Sequence, residues 1–412
     1  MRTPKIRFKG YIEDWEQRKA VDLAEYSKGN GYSKSDLVEI GAPIILYGRL
    51  YTKYQVLIDD IDTFAVPQSN AVFSEGGEVI IPASGETAED IARAAVVRKS
   101  GVLLGSDLNI LRPIAQINPV FFAIAISNGK PQKELAKRAQ GKSVVHIHNL
   151  DIQEIAIPFP TRIEQDKIVG LFNGLDNLLT LHQRKREEIK TLKKYMLQKM
   201  FPQDGMNIPE IRFAGFTDAW EQRKLSDFGK ATGGTSIESE FVENGKYKVI
   251  SIGSYSETSK YADQGIRANR TSKTESRILN KGDLTMILND KTVSGNIIGR
   301  VLLIDADNSY IYNQRTERIE VYKNYFEPEF LYQFLNADNI RSKIIRASQG
   351  NTQIYVNWTS ISDIKYDIPK SKEEQKKIAE YFTYLDHLIT LHQCKCEELK
   401  KMKKFMLQNM FV

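Results

Sequence analysis

The stretch Glu164 to Phe201, EQDKIVGLFNGLDNLLTLHQRKREEIKTLKKYMLQKMF, returns as Glu374 to Phe411, EQKKIAEYFTYLDHLITLHQCKCEELKKMKKFMLQNMF. The offset is a constant 210 residues, and 23 of 38 positions are identical. A self-match of this length marks an internal repeat. Apolar or seam residues fall at alternating steps of four and three: Ile168, Phe172, Leu175, Leu179 and His182, then Ile189, Leu192 and Met196. The second copy answers with Ile378, Phe382, Leu385, Ile389 and His392, then Leu399, Met402 and Met406, with Cys396 also on the seam. This is coiled-coil spacing. No proline interrupts either stretch, and Leu, Lys, Glu, Gln and Met fill the remainder, so each is expected to form one helix of roughly 55 Å. A seam that long outruns a single small domain, so the natural partner of each helix is the other.

The repeat extends outward from the helices. Pro4 to Lys19, PKIRFKGYIEDWEQRK, is answered by Pro209 to Lys224, PEIRFAGFTDAWEQRK, so the second half opens as the first does. The repeat unit is a half-chain made of opening segment, globular domain and long helix. The expected division is a first domain over 1–160, a helix over 161–201, a second domain over 202–370 and a helix over 371–412. Helix one leads from domain one to domain two, so helix two must run back to pair with it. The pair should be antiparallel, with the domains at its opposite ends under an approximate twofold and Phe411 near Pro4.

A chain of 412 residues is long for one core, which agrees with two domains. It has no run of eighteen apolar residues and no apolar N-terminal region, so neither a membrane span nor a secretory route is expected, and the cytoplasm is. The net charge of +6 favours an acidic partner such as nucleic acid. Only Cys394 and Cys396 are present, too close together to cross-link distant segments, which suits a reducing compartment.

The domains read as mixed helix and strand, an α+β class. Strands are expected at 43–50 and 78–82, a helix at 87–97 opened by a Thr87/Asp90 capping box, a helix at 119–127, and strand and turn over 141–157. In the second domain 283–288, 296–305 and 310–321 read as strands and 328–347 as a long helix. The middles of the domains look unlike. They realign at their ends, where Asn118-Pro119 answers Glu327-Pro328 and Gln140-Gly141 answers Gln349-Gly350.

Two unlike domains at a fixed separation suit a ligand with two different sites, and DNA half-sites one turn apart, about 34 Å, present the same face. The opening segments ending in WEQRK, the EQ-(D/K)-K-I helix start, the LDxLxTLHQ centre and the KKxMLQxMF end resemble the specificity subunit of type I restriction-modification systems. The resemblance covers essentially the whole chain. It implies two target-recognition domains, each reading half of a split asymmetric DNA sequence. The helices would set the spacing and dock two methyltransferase subunits, through which restriction subunits join. S-adenosylmethionine, ATP and magnesium would belong to those partners, leaving this chain catalytically silent.

Motifs that would contradict silence fall short. Gly141-Lys142-Ser143 resembles the end of a phosphate-binding loop, but Ala136 stands where the loop's first glycine belongs, and it reads as a turn. Asn118-Pro119-Val120-Phe121 has one proline where an amino-methyltransferase motif needs two. His392, Cys394 and Cys396 could be drawn as a metal cluster. Their counterparts are His182, Arg184 and Arg186, so no metal is expected, and the histidines read as polar seam residues. The basic run of Arg184, Lys185, Arg186, Lys190, Lys193, Lys194 and Lys199 reads equally as a solvated face or as a docking or phosphate-contacting surface.

Base reading asks for Arg, Lys, Asn and Gln in loops, with phosphate contacts from Lys, Arg, Ser, Thr and Tyr. Domain one offers Tyr47, Arg49, Tyr51, Lys53, Gln68, Ser84, Lys142 and His146. Domain two offers Arg267, Asn269, Arg270, Lys273, Asn289, Lys291, Arg300 and Arg315. The alternative is a structural adaptor that bridges two protein partners without reading DNA.

Overall fold

Both long helices form, at Arg162–Lys199 and Lys372–Met410, each starting two residues ahead of the repeated stretch. The computed structural model describes residues 3–141, 144–203, 205–291 and 293–411. The chain divides into two compact units, Met1–His182 with Cys394–Val412, and Gln183–Gln393. The division falls inside both helices rather than at their ends, because each unit holds the first half of one helix and the last half of the other. In unit one Lys403 reaches Asp176 at 2.6 Å, and Cys396 Sγ lies 4.0 Å from the Leu179 carbonyl. Going forward from Asp176 to Leu179 is going back from Lys403 to Cys396, so the helices run antiparallel. Unit two repeats the contact with Lys193 on Asp386 at 2.6 Å.

Ile168, Phe172 and Leu175 are buried in unit one and Ile378, Phe382 and Leu385 in unit two, and Cys396 is buried on the seam. Leu179, His182, Ile189, Met196, Ile389, His392, Leu399 and Met406 are half-buried. Leu192 and Met402, expected in the seam, face outward instead. Their neighbours Lys193 and Lys403 are turned in toward the aspartates, and the 3.6-residue turn has drifted off the 3.5-residue pattern by that point. Leu181, Leu192 and Tyr195 in one helix and Leu391, Met402 and Phe405 in the other are matched positions, all between 42% and 54% exposed.

Each repeated motif has a structural task. The WEQRK segments become strands Glu16–Lys19 and Glu221–Lys224, which pair antiparallel with the strands entering the long helices, Ala156–Phe159 and Lys365–Ile368. Arg7 grips Glu164 through two hydrogen bonds of 2.7 and 2.8 Å, and Arg212 grips Glu374 with the same two distances. The next residue clamps the domain to its helix. Gln165 accepts from the Asn118 amide at 2.8 Å and donates to the Pro160 carbonyl at 2.9 Å; Gln375 does the same for Glu327 and Pro369 at 2.9 and 3.1 Å. Near the chain ends Ile6 N–H donates to Asn409 at 3.0 Å, the counterpart of Ile211 to Lys199 at 3.0 Å, so residues 6 and 409 adjoin as expected.

At the centre of unit one lies a sheet ordered Ala24–Lys28, Leu108–Pro113, Glu78–Pro82, Ala95–Val97 and Leu57–Ile58. Unit two repeats its first four strands as Gly229–Gly233, Thr316–Val321, Leu284–Ile287 and Val301–Leu303. The accessory sheets differ: 103–104, 42–45, 64–65 and 37–38 in one unit, 267–268, 247–250 and 310–312 in the other.

Several local expectations are corrected. The strand expected over 43–50 is Ala42–Ile45, and Arg49–Thr52 is a helical turn. Thr87 caps as expected, accepting from the Asp90 amide at 3.1 Å, but the helix is the single turn Ala88–Ile91 before strand Ala95–Val97. Val96 and Val97 favour a strand, and their buried places in the sheet hold them there. Residues 141–157 include a helix, Asn149–Gln153. Of 296–305 only Val301–Leu303 is strand, and 310–321 is two strands, Tyr310–Tyr312 and Thr316–Val321. The helix expected over 328–347 breaks at Ala337 into Pro328–Asn336 and Asp338–Arg346. The Asn336 amide exchanges hydrogen bonds of 3.0 and 2.9 Å with the Val301 backbone, pinning the break to the sheet.

Candidate nucleic-acid interface

The edge where the central sheet ends is built alike in both units. Strand Glu78–Pro82 runs on into Ser84–Gly85, which pairs with Val145–His146; strand Leu284–Ile287 runs on into Asn289–Asp290, which pairs with Ile354–Tyr355. Register places Ser84 opposite His146 and Asn289 opposite Tyr355. A left-handed residue supports each edge from the neighbouring turn. Asp107, with φ 60°, accepts from the Ala83 amide at 2.7 Å, and Arg315, with φ 64°, accepts from the Leu288 amide at 2.9 Å.

This edge gathers part of the candidate set. In unit one the Ser84 hydroxyl lies 3.1 Å from His146 Nδ1, the Tyr51 hydroxyl donates to the Ser84 carbonyl at 2.8 Å, and Tyr47 packs edge-on against Tyr51. In unit two Asn289, exposed Lys291 and exposed Arg315 come together. Lys142 lies outside the described residues.

The other candidates lie elsewhere. Arg49 is nearly buried, holding Asp62 at 2.9 Å and the Asp60 carbonyl at 2.6 Å, while Lys53 holds Asp62 from outside at 2.6 Å. Gln68 is exposed, on the loop whose backbone donates to the Tyr32 hydroxyl. Arg267, Asn269, Arg270 and Lys273 cluster around the short strand Arg267–Ala268. Arg267 forks onto Asp263 with two bonds of 2.8 Å and holds that carboxyl down to about 2; Arg270 pairs with Glu275 and Lys273 with Glu240. The Asn269 side chain accepts from the Lys246 amide at 3.1 Å. Arg300 is a clip rather than a probe. It donates to the Asn296 carbonyl and the Ser259 hydroxyl, and burial lowers its pKa.

Sequence reading missed Gln140, Gln349, Asn351, Thr352, Gln353 and Tyr355 on the same edge. Tyr355 is exposed, and Asn351, Thr352 and Gln353 present amides and a hydroxyl to solvent. The repeated Gln-Gly pair was the available clue. Among the described residues no group of three or more His, Cys, Asp and Glu is arranged to hold a metal ion, and no helix is long and apolar enough to cross a membrane.

One buried acid distinguishes the two edges. Glu317 pairs with Met286 and Gly233, the register position that Asn109 holds against Ile81 and Lys28. Asn109 is neutral and donates to the Ile147 carbonyl at 3.0 Å. Burial pushes the Glu317 carboxyl up to about 7, against the pull of Arg277. Its folded pKa therefore exceeds the roughly 4.3 of an unfolded glutamate, so its contribution is fully present below that value and is lost as pH rises through 7. Unit two should lose about 1–3 kcal/mol between pH 4 and 8 from this group, allowing for partial solvent screening. Glu317→Gln should flatten that dependence in urea unfolding at stepped pH; an unchanged slope would refute the assignment.

A family model described as type I restriction modification DNA specificity domain matches residues 12–191 and again 217–401. The MjaVIII type I restriction enzyme specificity subunit of Methanocaldococcus jannaschii is 25% identical over 406 residues, covering 95% of this chain and 91% of that protein. The HindI specificity subunit of Haemophilus influenzae is 30% identical over 139 residues, 33% of this chain and 29% of that one. In fold the chain is similar to a type I restriction-modification S subunit from M. genitalium, with a TM-score of 0.59 at 16% identity, covering 100% of this chain and 99% of that one. A second similar structure is the HsdS subunit of Thermoanaerobacter tengcongensis, with a TM-score of 0.51 at 14% identity and 95% of each chain covered.

Proposed function

Because the chain belongs to the type I restriction-modification DNA specificity family, matched in both halves, we propose that each unit reads one half of a bipartite, asymmetric DNA target. One observation carries this reading. The same buried scaffold and the same strand-end edge occur twice, yet the side chains on the edge differ: exposed His146 beside buried Ser84 in one unit, exposed Tyr355 beside buried Asn289 in the other. Such a pair serves two different sequences in one geometry. The net charge of +6 favours a polyanion, whose binding releases counterions.

The long helices set the spacing between the halves. Their outward apolar residues recur in each unit, Leu181, Met402 and Phe405 in unit one and Leu391, Leu192 and Tyr195 in unit two, which suits one kind of partner taken twice, and two methyltransferase subunits fit that need. Restriction subunits join through them. S-adenosylmethionine, ATP and magnesium act in those partners, and this chain contributes position and no bond chemistry.

Co-expression with the methyltransferase subunit in a methylation-free host, followed by genome-wide mapping of N6-methyladenine, should give one split motif methylated on both strands. Exchanging residues 20–155 for the matching segment of a relative should change the letters of one half only. Change in both halves, or a soluble complex without methylation, would count against the proposal.

A further inference from the structure

Within two domains whose middles are unlike, one loop closure is the same twice. Gln140 and His146 exchange backbone hydrogen bonds of 3.1 and 2.8 Å; Gln349 and Tyr355 exchange two of 2.9 Å. Each loop is thereby closed at its neck. Each opens on a glycine in a left-handed conformation, Gly141 at φ 135° and Gly350 at φ 112°. A Cβ on Gly141 would lie 1.9 Å from the Val144 carbonyl oxygen, and one on Gly350 would lie 2.0 Å from that of Gln353, so only glycine keeps either loop shut. The exits dock alike as well, Ile147 N–H on the Ala83 carbonyl at 3.0 Å and Val356 N–H on Leu288 at 2.9 Å.

A closure built alike in domains that read different bases serves whatever the two half-sites share. Bases differ between half-sites; the sugar-phosphate backbone does not. In unit two the loop presents Asn351, Thr352 and Gln353, all exposed, and exposed Lys291 lies just beyond the paired strand Asn289–Asp290. Neutral amides, hydroxyls and backbone N–H groups beside a cation are the groups that bind phosphate oxygens and carry no sequence information directly.

Resting on the DNA-reading assignment above, we propose that the closed loop Gly350–Gln353 grips a DNA phosphate and seats unit two on its half-site independently of base sequence. Base discrimination then falls to neighbouring exposed positions where the two edges differ, Tyr355 and Arg315 foremost.

The test uses the complete methyltransferase complex with Asn351, Thr352 and Gln353 replaced together by alanine. Gly350 and the backbone closure are untouched, so the loop keeps its shape. Affinity for the cognate duplex should fall roughly ten- to a hundredfold, as expected for losing one hydrogen bond to a charged oxygen. It should fall equally for duplexes with single base changes in that half-site, and the methylated motif should not change. Ethylating phosphates one at a time should reveal a position whose modification weakens the wild type and leaves the variant unaffected. Loss confined to one base pair would make the loop a base reader, and loss of methyltransferase-subunit binding with DNA contacts intact would make it a protein contact; either overturns the inference, as does unchanged affinity. A wild-type complex that binds no DNA would instead refute the DNA-reading assignment itself.

Discussion

Replacing Glu374 with alanine should cost unit two about 3–5 kcal/mol, the range for removing one partner of a buried ion pair. Glu374 is 1% exposed and holds Arg212 through two hydrogen bonds, while Trp220 Nε1 donates to the same carboxylate at 3.2 Å. The Arg212 side chain is itself only 13% exposed. Removing the acid leaves a mostly covered guanidinium and the buried Trp220 indole N–H without their partner. Arg212→Ala combined with Glu374→Ala should be less damaging than Glu374→Ala alone, because the stranded charge is gone. Denaturant unfolding followed by tryptophan fluorescence measures both variants against the wild type. A loss below about 1 kcal/mol would place the pair with surface salt bridges and refute the account. In unit one Trp15 Nε1 has no hydrogen-bond partner among the described residues, so Glu164 does the same work with one donor fewer.

This pair also shows what was legible in sequence. The repeat located both long helices because heptad spacing is local and recurs, and it located Arg7, Glu164, Arg212 and Glu374 as matched positions. It did not say what they do. That task is a contact across more than 150 residues, with no periodic trace. The same limit explains the single-turn helix after Thr87: its cap was readable, whereas the competing strand position of Val96 depends on partners at Val79 and Leu57. At the strand-end edges, Ser84 and His146 in unit one, and Asn289, Lys291 and Arg315 in unit two, were chosen for side-chain chemistry and come together within their own unit. Arg49 and Arg300 were chosen on the same ground and proved to be internal clips, because chemistry alone does not distinguish an arginine facing DNA from one tied to its own chain. Tyr355 was missed because its exposure follows from pairing with Asn289, a register set by residues 66 positions away.

Phe201→Ala should be comparably severe, about 3–5 kcal/mol, the usual cost of emptying a buried phenylalanine site. Phe201 is 1% exposed, with its ring centroid 5.2 Å from that of Phe334, 5.7 Å from Phe382, 6.1 Å from Phe330 and 6.5 Å from Trp220. These come from the domain's helix Pro328–Asn336, the second long helix and the opening segment, so one ring joins every repeated part of unit two. Phe411 does the same in unit one against Trp15, Phe121 and Phe172. The two lesions should therefore act on different units: Phe201→Ala should lower the unfolding of unit two and Phe411→Ala that of unit one, each read by amide exchange in that unit. Phe201→Leu should lose far less, since it keeps most of the volume while giving up the edge-to-face contacts, worth roughly 0.5–1.5 kcal/mol each. Exchange that rises equally in both units after Phe201→Ala would mean that the repeated Met-Phe end stabilises the chain as one cooperative block. Confinement to unit two would mean that each half carries its own core and can change its recognition edge without disturbing the other, which is the condition for two half-sites to be read independently.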